Sequence, residues 1–153
     1  MKHSLYLPYM KLCAIFLLAL SACPYSAFAY DAFDCVQNVV KLDKDIGEAL
    51  VVKLCSDASS LAVSQCYIQS FSLDKDIGRG LAIDLCNGAR SLQPLTCYKD
   101  IFSFDKGIGR GLAIDLCSES TNAQNTINCY VNAGNAGMSR GAASKLCGIP
   151  KTQ

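Results

Sequence analysis

The chain has 153 residues, with 14 Lys+Arg against 13 Asp+Glu, ten Cys, one His and no Trp. A formal net charge of +1 provides no basic footprint, so nucleic acid is not expected as a partner. The single histidine is His3, inside the N-terminal leader, which leaves the rest of the chain without the group that Ser-His-Asp catalysis, Cys-His catalysis and His-bearing metal sites require.

Residues 1–29 have the layout of a signal peptide. Lys2 and Lys11 flank a short polar start, and Leu12–Leu20 is an apolar run. It falls short of the roughly 20 residues needed to span a bilayer and suits the apolar centre of a secretory signal. Pro24 breaks the run, and Ala27-Phe28-Ala29 forms a small-x-small site, so cleavage is expected after Ala29. A rival site, Leu20-Ser21-Ala22-Cys23, has the form of a lipobox in which Cys23 is lipidated; an uncleaved anchor is the third reading. The expectation is a secreted or periplasmic protein, with membrane attachment only through Cys23. Without the leader, residues 30–153 keep 12 basic and 13 acidic side chains, enough chain for a single domain of modest size.

Eight cysteines follow the leader, at 35, 55, 66, 86, 97, 117, 129 and 147. An even number at recurring spacings in an exported chain indicates a disulfide framework, and no CxxC knuckle suggests zinc. The cysteines fall into pairs separated by 20, 20, 20 and 18 positions, and the pairs advance by about 31 residues. This defines four units, near 31–58, 59–89, 90–120 and 121–149. The second and third are near-duplicates: "FSLDKDIGRGLAIDLC" and "FSFDKGIGRGLAIDLC" agree at 14 of 16 positions, and the outer two diverge. A period near 30 residues is characteristic of stacked helical hairpins.

Within a unit a first helix is expected around the first cysteine. Asp31 is a candidate cap in unit one, and Pro94 opens "LTCYKDIF" in unit three. The second helix is expected to start after Ser72 in unit two, because Leu73, Ile77, Leu81 and Leu85 recur every four residues. That placement sets Asp74 and Asp76 in its first turn and Gly88 just beyond its end. No segment alternates with period two, so no sheet is expected. The fold class is all-α: four tandem disulfide-stapled αα-hairpin repeats of about 31 residues, as a short solenoid or compact helical array. Antiparallel geometry closes Cys35–Cys55, Cys66–Cys86, Cys97–Cys117 and Cys129–Cys147 within units. The rival scheme pairs 55–66, 86–97 and 117–129 and strands Cys35 with Cys147 at opposite ends.

"GIGRG" has neither phosphate-loop spacing, and no strand precedes it. Its first glycine position is occupied by Gly47, Gly78, Gly109 and Ser139, the second by Ala49, Gly80, Gly111 and Gly141. Small residues at both sites suggest close helix packing rather than a ligand loop. The "DKD" of Asp43–Asp45 and Asp74–Asp76 lacks the calcium-loop pattern, and the third copy reads "DKG". Asp84 and Asp115 alternate with Lys53 and Lys145 at one register, the behaviour of a solvated face rather than of a catalytic acid.

No catalytic, cofactor-binding or metal site is therefore expected. The candidate binding surface is a ladder of Tyr67, Tyr98 and Tyr130 with a basic ridge of Arg79, Arg110 and Arg140; the competing reading has each ring cover its own disulfide. The functional expectation is a non-enzymatic exported binding or structural module whose partner is a protein or a small apolar ligand. The alternatives are a carrier of that ligand, or a secreted effector or inhibitor of a host or competitor protein.

Overall fold

Asp31 begins the first helix with a capping box: its side chain accepts from the N–H groups of Phe33 and Asp34, and the Asp34 carboxylate accepts from the Asp31 N–H. The computed structural model describes residues 30–148, so the cleavage site near Ala29, Cys23 and the last residue of the fourth unit lie outside it. Among the described residues there are eight helices and no strand: α1 Ala32–Leu42, α2 Glu48–Cys55, α3 Ala62–Leu73, α4 Arg79–Cys86, α5 Gln93–Phe104, α6 Arg110–Cys117, α7 Ala123–Asn135 and α8 Arg140–Gly148. None is long and apolar enough to cross a membrane. Pro94 sits in the first turn of α5 as expected, and Asn122 caps α7 by accepting from the Asn125 N–H.

Each odd-numbered helix packs against the even-numbered helix that follows it. Odd helices also stack on odd ones (α1 on α3 on α5 on α7) and even helices on even ones, giving two layers with the core between them. The pairing is the one expected within units. Cys35–Cys55, Cys66–Cys86, Cys97–Cys117 and Cys129–Cys147 join the start of each first helix to the end of each second one, with Cα–Cα separations of 5.5–5.7 Å. The six cysteines from 35 to 117 are buried beside Leu54, Ile83, Leu85, Ile101 and Leu116, and Cys129 and Cys147 are half-buried. Closing a loop of about 20 residues contributes roughly 3 kcal/mol per bridge in the chain-entropy account.

The second helices begin later than the four-residue spacing suggests. Leu73 ends α3 and is exposed, Asp74 is its C-cap, and Ile77 is buried in the turn before Gly78 caps α4. The regular spacing is shared by three different structures: a helix end, a turn and a helix. In that turn the Ile77 N–H donates to the Asp74 carbonyl at 3.1 Å, and the same bond recurs from Ile46 to Asp43 and from Ile108 to Asp105. Each turns an isoleucine inward. Asp43, Asp74 and Asp105 are thus at the C-terminal ends of first helices, not in the first turns of second ones.

The small-residue reading is also corrected. Gly47, Gly78 and Gly109 are helix N-caps in extended conformation (φ −66 to −73°), a conformation open to the Ser139 of the fourth unit. A Cβ on Gly78, Gly80, Gly109 or Gly111 meets no atom within 4 Å, so close helix approach is not what they serve. Gly88, with φ +68°, does take the left-handed position after α4.

Candidate functional site

The six residues proposed as a displayed surface are brought together, but as the joints between units. Tyr67, Tyr98 and Tyr130 are 0, 1 and 6% exposed, so they form no open ladder. Each phenol donates to a carboxylate of the preceding unit: Tyr67 to Asp43 at 2.8 Å, Tyr98 to Asp74 at 2.8 Å and Tyr130 to Asp105 at 2.7 Å. The arginines address the same carboxylates with two parallel bonds. Arg79 reaches Asp43 at 2.9 and 2.9 Å, Arg110 reaches Asp74 at 2.6 and 3.0 Å, and Arg140 reaches Asp105 at 2.6 and 2.9 Å. A guanidinium committed in this way is not a free ridge for an acidic partner. Both halves of the surface reading are corrected: the rings are needed inside, and the charges are spent on neighbours.

Three carboxylates are the hubs of these clasps, among them Asp74, which the sequence placed in the first turn of a second helix. A negative charge at a helix C-terminus is disfavoured by the macrodipole, and the Arg and Tyr donors offset it. The Arg79 hydrogen bonds, followed by the Tyr67 bond, outweigh burial and lower the Asp43 carboxyl to about 2. Asp74 is lowered to about 2 by Arg110 and Tyr98 in the same way, and Asp105 lies below the usual carboxylate range because of Arg140 and Tyr130. Burial, reinforced by the bond to Asp105, raises Tyr130 to about 12, and Tyr67 and Tyr98 are raised for the same reasons. The signal was present in the sequence at fixed offsets. Tyr follows the first cysteine of units two to four, where Val36 stands in unit one; Asp follows by eight in units one to three, where Gly137 stands in unit four.

Asp84 forms a half-exposed ion pair with Lys53 of the preceding unit at 2.6 Å, in keeping with a solvated face. Tyr67 and Tyr98 make edge-on contacts with Phe71 and Phe102 at centroid distances of 5.1 and 5.2 Å. Beside the second clasp an open groove of about 590 Å³ runs between units two and three, bordered by Leu73, Lys99, Phe102 and Ile108. The residue just before each clasp carboxylate is apolar and exposed: Leu42 by 65%, Leu73 by 38% and Phe104 by 56%. Lys44, Lys75 and Lys106 follow one position after each carboxylate, exposed and in no ion pair among the described residues.

No protein-family model, no curated protein and no solved structure matches the chain. Four disulfides in a helical chain of this size suit an oxidising extracellular or periplasmic environment.

Proposed function

We propose that the protein is a non-enzymatic exported module, released by cleavage after Ala29, that binds another protein along the edge where α1, α3 and α5 end. The observation that carries this reading is the row of Leu42, Leu73 and Phe104, one large apolar side chain in each of units one to three, left exposed at a single register. Each has a lysine two residues further on. Each clasp ties the carboxylate beside one of these side chains to the next unit, so the row is set on fixed supports rather than on free loops. Apolar anchors on a preorganised scaffold lose little conformational freedom on binding. The partner that fits is a protein segment offering apolar side chains at matching intervals with acidic groups between them.

The reading is tested by crosslinking the exported protein in its native fluid, comparing wild type with the triple variant Leu42→Ser, Leu73→Ser, Phe104→Ser. A specific protein adduct should be formed by wild type, lost from the triple variant and kept by Val52→Ser, which alters an equally exposed side chain on α2. An adduct that survives the triple change sinks the edge as the binding surface. A small apolar molecule carried through purification, with no protein adduct, would replace it with a ligand carrier seated in the groove beside Phe102.

A further inference from the structure

We infer that the protein is a two-fold dimer, formed by antiparallel contact of α1 with α1 of a second copy. The first unit has an open face that units two and three cover. Two residues before the first cysteine, Ser64, Leu95 and Ile127 are 3, 8 and 1% exposed, but Phe33 in that register is 67% exposed. Five residues after the cysteine, Phe71 and Phe102 are half-buried, whereas Val40 is 41% exposed. With Val36, where the clasp tyrosine would stand, these residues make an apolar stripe on α1 at helical spacing. The terminal unit of a stack normally becomes polar on its outer face, and this one has not.

The occupant of that face is decided by charge. Another array adding head-to-tail would have to present the far end of its fourth unit. That end has Gly137 in place of the clasp carboxylate, and the receiving end has Glu48 in place of the clasp arginine. Within the stack, Lys53 is paired with Asp84 at the equivalent register one unit on. A head-to-tail junction would offer no such pair, since Lys145 of one copy would meet Lys53 of the next. The antiparallel pairing has the opposite character. A two-fold axis near Val36 and Gln37 brings Phe33 of each copy onto the partner's Val40. It also brings Asp34, near the start of α1, within reach of the partner's Lys41 at its end, twice over by symmetry. The chain enters α1 through Tyr30, whose hydroxyl is bonded to Ser64 of α3 at 3.1 Å, on the side turned away from the stripe.

One helix pair buries less than the ~1,600 Å² of a standard interface, so a dissociation constant in the micromolar range is expected. Sedimentation equilibrium of the mature protein, from submicromolar to several hundred micromolar, should give a monomer–dimer equilibrium. Phe33→Glu with Val40→Glu, both exposed in the monomer, should leave the circular dichroism unchanged and give a monomer throughout. Lys41→Glu alone should weaken the dimer by about tenfold, since two exposed pairs are lost, and Asp34→Lys with Lys41→Glu should restore it. A protein that stays monomeric to several hundred micromolar overturns the inference. So does an association that survives the glutamate changes, or one abolished by Leu146→Glu on the opposite end.

Discussion

A carboxylate such as Asp74 has one bond from a buried phenol and two from a guanidinium, and all three donors come from the next unit. The ionised acid and the neutral phenol are both required, so each clasp has a working range of pH with two limits. Asp43 and Asp74 titrate near 2 when folded and near 4 when unfolded, so they stabilise the fold above about pH 4 and lose that contribution between about 4 and 2. The clasp tyrosines are raised in the folded state above the usual value near 10, so their contribution is present below about pH 10 and is lost above it. Thermal unfolding should therefore show a plateau between about pH 4 and 10 with a fall on each side. Asp74→Asn should lower stability at pH 7 by about 2 kcal/mol and make the acid fall shallower. An acid limb of unchanged slope in that variant would show that other groups set it. The tyrosines and arginines were visible as recurring letters, but their shared carboxylate was not. The tyrosine and arginine of a clasp lie 24 and 36 positions from its carboxylate in the first two clasps and 25 and 35 in the third, and only the stacking of units makes them neighbours.

At the scale of helices, the hairpins and their bridges were legible because the cysteine spacing and antiparallel geometry leave little freedom. The start of the second helix was not. A four-residue spacing from Leu73 to Leu85 is compatible with one continuous helix, and only the capping roles of Asp74 and Gly78 divide it. The glycines were misread for the same reason, since a helix interior was assumed where a helix start exists. Gly111 follows the first residue of α6 with open space where a Cβ would go, whereas a Cβ on Gly148 would run into the Asp115 carbonyl at the end of α6. Gly111→Ala should accordingly raise stability by about 0.5–1 kcal/mol, and Gly148→Ala should lower it by at least 1 kcal/mol. Chemical denaturation with the disulfides intact measures both, and a stabilising Gly148→Ala would contradict the close approach of α8 to α6.

For the molecule as a whole, the joints have a direction: every unit that is followed by another has the carboxylate, and every unit that is preceded by another has the tyrosine and arginine. The outermost units lack the half they cannot use, as Val36 with Glu48 and Gly137 show. An interior unit is complete on both sides. A chain with a second copy of residues 90–120 inserted after residue 120 should therefore fold with five bridges and four clasps. Its helical circular dichroism should grow by one unit's share and its unfolding midpoint should not fall; an insert that unfolds separately would break the scheme. The likeness of residues 71–86 and 102–117, which contain the carboxylate and the arginine of units two and three, makes these units interchangeable at their joints. Adding or removing one interior unit would leave no carboxylate unpaired. The clasp thus makes the length of the stack a quantity that can change in single steps, while the units that close its two ends stay the same.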